Sequence, residues 1–327
     1  MKYNLMLYLY LFVSPFMVMS VNSLLSMWVN MEMNLLMFLL LIILMNKNIY
    51  DSSMKYFLIN SFSSSVFMIM INMNFYSYSN MYMLIMNLMM FMKLGIFPFH
   101  YWFIDMMLGM NWMSCLILST WQKLIPMVIL FNICNIYMFM MIIFMNGLIS
   151  VVFGMNQMSL KKILGYSSIN HMCWMLMIIL LSSNLFIYYF FYYLMMNMSI
   201  MILMYKFNFE NLMDLYKSYN LNVKYYIMFM FLSLGSLPPM FGFTMKWYTI
   251  NELIMTSNYL ILMMLLFYSF LFLYNYIRLT MAFMLMNYNS MKNFMLLIMF
   301  NKNYSLIFFL NLLMILNLLV IMFWFLY

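Results

Sequence analysis

Six ionisable or imidazole side chains fall inside apolar stretches of this sequence: Glu32, Lys93, Lys123 and Lys246, with His100 and His171. An ionisable group at the centre of a lipid bilayer costs about 2.5–3.5 kcal/mol on insertion scales, so such groups face the protein interior and mark paths for ions or protons. Burial disfavours the charged form of a lysine, and a neighbouring carboxylate favours it. One glutamate and three lysines in wet, low-dielectric surroundings could therefore pass protons, with the two imidazoles as candidate neutral relays. Each has a plainer explanation at this stage. Glu32 stands near the start of its segment and could rest at the interface, and Lys246 could snorkel to a nearby helix end. His100 precedes Tyr101 and Trp102, the pattern of an interfacial anchor, and His171 could make a purely structural hydrogen bond. Lys93 and Lys123 lie deeper.

The elements that must hold these groups are membrane helices. Of 327 residues, 69% are hydrophobic and 6% charged, against about 25% charged in average soluble domains. So few charges cannot cover a water-soluble fold, and the solvent must be lipid. A net charge of +8 does not point to nucleic acid, because the lysines stand singly between apolar runs, as they do in short membrane loops. A span needs about 20 mainly apolar residues. The runs predict an all-α polytopic membrane protein of about eleven transmembrane helices, at roughly 5–25, 27–45, 54–73, 81–101, 112–131, 136–156, 163–181, 185–205, 224–245, 258–286 and 304–326. The longest polar interruption, roughly 206–223, is too short for a separate soluble domain, so 1–327 reads as one integral membrane domain.

Charge tests that count. With alternate loops on alternate sides, Lys2, Lys47, Lys55, Lys161, Lys162, Lys206, Lys217, Lys224, Lys292 and Lys302 all return to the side of the N-terminus, with Arg278 close by. By the positive-inside rule that side is the one from which the chain was inserted.

Two segments carry breakers. The fourth contains Gly95 and Pro98, and the ninth contains Gly235, Pro238, Pro239 and Gly242. Proline removes an N–H and clashes with the preceding turn. Freed backbone groups at membrane depth are tolerated only inside protein or beside a wet cavity, and interruptions at matching places in two halves point to a transport path. The two are five segments apart. Repeats over roughly 5–131 and 136–286 would each have a broken fourth helix. The odd spacing would make the second repeat run inverted, with 304–326 left over as a C-terminal helix.

Composition adds the origin. Fifty-four Met, 34 Phe and 28 Tyr stand beside a single Ala (Ala282) and a single Arg (Arg278). Helix packing gives no reason to avoid Ala, the best helix former. An AT-rich organelle genome reading ATA as Met does. An Arg- and Ser-rich import presequence is absent, and the apolar start MKYNLMLYLYLFVSPF lacks a small-residue cleavage site, so it reads as the first membrane helix. Cys115, Cys134 and Cys173 form no CxxC pair, and there is neither a GxGxxG nor a P-loop. No motif for an iron–sulfur cluster, zinc, NADH, flavin or nucleotide is present.

The motifs MEMNLL (31–36), KLGIFPFHYWF (93–103), STWQKLIP (119–126), KKILGYSSINHMCWM (161–175) and LSLGSLPPMFGFTMKW (232–247) occur in an order and spacing that resembles the antiporter-like membrane subunits of mitochondrial NADH–ubiquinone oxidoreductase (respiratory complex I), subunit 2 above all. The resemblance covers roughly 30–250; beyond it only the hydropathy matches. It implies two inverted five-helix repeats, each with one discontinuous helix, and the loss of three N-terminal helices found in relatives. It also implies a place among other subunits of the complex I membrane arm, in the inner mitochondrial membrane, where the positive-inside rule puts the N-terminus on the matrix side and the C-terminus in the intermembrane space. The activity it implies is that of an H+-translocating NADH–ubiquinone reductase in which this chain holds no cofactor. NAD, FMN, iron–sulfur clusters and ubiquinone belong to the whole complex, while protons, channel water and the lipid bilayer are this chain's own partners. By the same resemblance Glu32 matches the helix-2 glutamate, Lys93 the first broken-helix lysine, Lys123 the central lysine and Lys246 the lysine after the Pro-Pro break. Asp105 stands where many members have glutamate, which keeps the charge. Two other readings stay open: a stand-alone cation/proton antiporter, and a structural spacer of the membrane arm.

The lysine asymmetry predicts that a label or protease applied to intact mitoplasts will not reach the 206–223 loop until the inner membrane is opened. Modification of that loop from the intermembrane side alone would overturn the orientation.

Overall fold

The computed structural model describes residues 2–45, 50–74, 80–217, 221–238 and 240–285. Among them every regular element is a helix: α1 (Lys2–Ser20), α2 (Leu24–Met45), α3 (Tyr50–Asn74), α4 (Asn80–Leu94), α5 (Tyr101–Gly109), α6 (Trp112–Ser119), a 3-10 turn (Trp121–Lys123), α7 (Leu124–Ile133), α8 (Ile136–Met155), α9 (Leu160–Leu181), α10 (Ser183–Phe207), α11 (Leu212–Lys217), α12 (Leu221–Leu234), α13 (Phe241–Met255) and α14 (Tyr259–Leu285). Among the described residues, seven stretches are long and apolar enough to cross a membrane. They are α2, α3, α6 with α7, α8, α9, α10 and α14. The expected 304–326 segment, and Lys47, Lys292 and Lys302, lie outside the described residues.

Several expected segments end or break elsewhere than the apolar runs implied. The fourth, placed at 81–101, stops at Leu94 and resumes as α5 over Tyr101–Gly109. The ninth, placed at 224–245, is α12 and α13 and extends to Met255. The fifth, read as one continuous helix over 112–131, is also interrupted, at Thr120–Lys123. Pro126 explains the last case: it has no N–H for the carbonyl of Gln122, a defect that the first turn of α7 tolerates. The 206–223 loop contains α11, whose Asp214 carboxylate accepts the backbone N–H groups of Glu210 and Asn211 at 3.1 and 2.9 Å, satisfying donors that a helix start leaves over.

The chain forms two compact units: residues up to Gln157 with Lys161–Ser183, and Met158–Leu160 with the chain from Asn184 onward. In the first, α1 packs on α2, α2 on α3 and α3 on α4, and α7 lies against α1, α2 and α4. In the second, α12 and α13 pack on each other and on α14. Polar and apolar positions are arranged as lipid demands. Asn60, Ser63 and Ser64 of α3 are buried while Leu58, Phe62 and Ile69 are exposed. In hydrocarbon there is no hydrophobic drive between helices, so small and polar residues form the contacts.

At one end of the first unit Lys55 lies 3.3 Å from Asp105, and the ammonium of Lys161 sits 5.6 Å from the centre of the Trp112 ring. Those contacts join α3 to α5 and α9 to α6. Lys161, read from sequence as a loop residue, is buried in the first turn of α9.

The first break depends on Gly95. Its φ is +65, and an added Cβ would lie 2.5 Å from Cβ of Phe103. Left-handed backbone costs an L-residue about 1–3 kcal/mol before any overlap. Gly95→Ala is therefore expected to destabilise the first unit by about 2–4 kcal/mol, read as a lower thermal midpoint or a loss of the assembled protein in mild detergent. A midpoint equal to that of the unsubstituted protein would contradict this account of the break.

Candidate functional site

The site is assembled from helix breaks and what compensates them. Between α4 and α5 the chain turns through Gly95 and a cis peptide at Phe97–Pro98. The N–H of Phe97 donates to Oδ1 of Asn146 on α8 at 2.6 Å, and the indole N–H of Trp102 donates to the carbonyl of Met92 at 3.0 Å. Main-chain groups left over by the break are thus bonded inside the protein, as the membrane interior requires. The break ends α4 just after Lys93, whose side chain is 4% exposed, and its Nζ lies 3.9 Å from Oε1 of Glu32 on α2. Because α2 begins at Leu24, Glu32 stands two turns in, with its side chain 26% exposed.

The second interruption positions Lys123. Thr120 caps the end of α6, and the N–H of Lys123 donates to the Thr120 carbonyl at 3.2 Å, closing the 3-10 turn. The residues of this turn reach different neighbours. Trp121 donates its indole N–H to the carbonyl of Leu11 on α1 at 2.7 Å. Gln122 pairs with Asn34 on α2, Nδ2 of Asn34 donating to Oε1 of Gln122 at 2.8 Å and Nε2 of Gln122 donating back at 3.4 Å. The buried ammonium of Lys123 lies 4.7 Å from the centre of the Phe103 ring on α5, a contact that favours the cation most when water is excluded.

Lys93 and Lys123 meet at one cavity of about 30 Å³, lined also by Asn34, Asn60, Gln122 and Tyr56. A water needs about 10–15 Å³ and two to four polar partners. The space therefore takes roughly one or two waters that could bridge the lysines.

In the second unit the break between α12 and α13 holds Lys246. Ser236 adopts φ 58 at the turn. The ammonium of Lys246 donates to Oγ of Ser236 at 2.7 Å, and the residue is buried. It points back into the break instead of snorkelling to a helix end. Tyr192 of α10 donates its hydroxyl to the carbonyl of Ser233 at 3.1 Å. Only glycine fits at Gly242, where a Cβ would collide with the Ser233 carbonyl and the Tyr192 hydroxyl.

Both histidines are buried. His100 stands at the start of α5 with its ring 4.1 Å from that of Tyr101 and 5.9 Å from that of Phe153. Tyr101 is exposed, whereas His100 and Trp102 are buried. His171 lies near the middle of α9, deeper than expected because that helix starts at Leu160. Neither lines the lysine cavity. Among the described residues no group of three His, Cys, Asp or Glu is placed to hold a metal, and Cys115 and Cys173 are buried thiols.

Sequence reasoning passed over Asn34, Asn60, Trp121, Gln122, Asn146, Tyr192 and Ser236. For Trp121 and Gln122 a signal existed. Pro126 lies four residues after Gln122 inside a membrane helix, and a proline there announces a break at the residues before it. Asn146, Tyr192 and Ser236 are ordinary residues until folding brings them to a freed backbone group or an ammonium.

Residues 21–272 match the family described as NADH:quinone oxidoreductase/Mrp antiporter, TM. NADH-ubiquinone oxidoreductase chain 2 of Aedes aegypti is 37% identical over 254 residues, covering 74% of each chain, and that of Anopheles gambiae is 34% identical over 256 residues, again 74% of each. In fold the chain is similar to a chain of the respiratory complex I from Thermus thermophilus with bound Aureothin, at a TM-score of 0.76 and 20% identity over 85% of this chain and 69% of that one. The match spans all three helix interruptions and the positions of Glu32, Lys93, Lys123 and Lys246. The chain therefore belongs to the NADH:quinone oxidoreductase/Mrp antiporter transmembrane family, among the NADH–ubiquinone oxidoreductase chain 2 proteins.

Proposed function

We propose that this chain is a core membrane-arm subunit of mitochondrial NADH–ubiquinone oxidoreductase, and that it contributes a proton path through Glu32, Lys93, Lys123 and Lys246. The observation that carries the reading is the shared cavity: Lys93, 3.9 Å from Glu32, and Lys123 line the same small space of mixed polar and apolar walls. In one state Glu32 holds Lys93 charged. When the pair separates, the ammonium of Lys93 loses the partner that offset its burial. Its proton then moves through cavity water to Lys123, which in turn sits on the Phe103 ring. Lys246, held by Ser236, is the onward acceptor in the second unit. His100 and His171 are the neutral groups available as further relays. On this reading the chain carries inverted five-helix repeats over roughly 5–131 and 136–286, a division that does not coincide with the two compact units.

The driving energy comes from quinone reduction in partner subunits. NADH, flavin, iron–sulfur clusters and quinone belong to those partners, and this chain moves charge without a redox step of its own. A stand-alone antiporter would instead carry Na+ or H+ as the purified chain in vesicles.

Lys123→Met keeps the volume and removes the titratable group. The variant complex is expected to assemble and to be no less stable, since an expensive buried charge has gone. Coupled quinone-reductase turnover and proton translocation are expected to fall about a hundredfold or more, the scale on which losing a positioned proton-transfer group acts. Proton translocation per electron, measured in vesicles holding the assembled complex, checks this. Unchanged pumping would remove Lys123, and with it the central link of the path.

A further inference from the structure

Helix α1 carries Pro15 in its interior. In an α-helix the N–H of a residue bonds the carbonyl four residues earlier, so Pro15 leaves the carbonyl of Leu11 without its helical donor. Two side chains take it up. Oγ of Ser14 donates at 3.1 Å and the indole N–H of Trp121 at 2.7 Å. Leu11 and Pro15 are buried, and the Trp121 ring is held edge-on by Phe12 at 4.8 Å and by Phe16 at 6.4 Å. One element therefore supplies a freed acceptor and two aromatic walls to a single indole. That indole belongs to the turn that carries Lys123.

We propose that Trp121 is a positioning residue for Lys123: its hydrogen bond to the carbonyl freed by Pro15 clamps the 3-10 turn so that Lys123 faces the cavity it shares with Lys93. The proposal rests on the proton-path reading of Lys123. Its physical basis is geometric. A 3-10 turn has poorer hydrogen bonds than an α-helix and persists in short pieces where something holds it. Here α6 ends at Ser119 and α7 begins at Leu124 on either side of the turn, which could relax towards continuous helix. Relaxation would rotate Trp121, Gln122 and Lys123 together about the helix axis and carry the ammonium away from Phe103 and the cavity. The Asn34–Gln122 pair holds the same turn from α2, so Trp121 fixes one side of it and Gln122 the other.

The test uses the assembled complex in vesicles and reads three quantities: the amount of assembled complex, coupled quinone-reductase turnover, and protons moved per electron. Trp121→Phe keeps an aromatic ring against Phe12 and removes the N–H. Pro15→Ala gives the Leu11 carbonyl its own backbone donor and so competes with the indole from the other side. Each is expected to assemble normally and to lower coupled turnover about fivefold, the scale of one net hydrogen bond. The double variant is expected to be no worse than either single one, because both remove the same contact. Adding Trp121→Phe to Lys123→Met is expected to change nothing further. Turnover that falls only in proportion to the amount of assembled complex would make Trp121 merely structural and overturn the proposal, as would additive losses from Pro15→Ala and Trp121→Phe. Normal pumping in Trp121→Phe beside reduced pumping in Lys123→Met overturns the clamp and leaves the proton path standing. Normal pumping in Lys123→Met overturns the path itself, and with it the clamp.

Discussion

A carbonyl freed by proline in a membrane helix has no water to turn to, and that constraint organises this molecule. In hydrocarbon each such group must find a donor inside the protein. The Leu11 carbonyl finds Trp121; the Met92 and Ser233 carbonyls beside the other two breaks accept the backbone N–H groups of Gly95 and Ser236 and, in addition, the side chains of Trp102 and Tyr192. The N–H of Phe97, displaced by the same kind of break, finds Asn146. Each of these bonds links one helix to another or one half of a helix to its continuation, so the breaks that would weaken isolated helices become ties between elements. The indole suits this role because it carries one donor on a large apolar body.

The same breaks place the charges. Lys93 ends the first half of a broken helix, Lys123 ends the 3-10 turn and Lys246 follows the break in the second unit. A lysine in the middle of a regular helix would face whatever the helix packing gives it. At a break, a short turn can aim the side chain at a carboxylate, a ring, a hydroxyl or a polar cavity. Stability and function are therefore coupled through backbone geometry. A buried ion pair such as Glu32–Lys93 adds little net stability, and its value in this account lies in being breakable.

The sequence made the broad frame legible and the interior much less so. Apolar run length located the described helices closely, because lipid thickness sets that length whatever the packing. The breaks at Gly95–Pro98 and Gly235–Gly242 were visible since glycine and proline act locally. The interruption at Thr120 was missed although Pro126 signals it, because the run from Trp112 to Ile133 is apolar enough to read as one helix. Glu32 and Lys246 looked able to reach an interface. Their depth depends on where α2 begins and which way α13 faces, and neither follows from hydropathy. The partners Asn34, Asn146, Tyr192 and Ser236 were illegible for a deeper reason. Each acts on a group distant in sequence or on a turn whose shape is fixed by packing.

The central claim is that Lys93 and Lys123 communicate through water in their shared cavity. A high-resolution electron cryo-microscopy map of the assembled complex tests it most directly. The account predicts one or two ordered waters there, each within hydrogen-bonding distance of a lysine ammonium and an amide of Asn34 or Gln122. A dry space closed by side-chain packing, with no continuous hydrogen-bonded link between the two ammonium groups in any state of the enzyme, would contradict it.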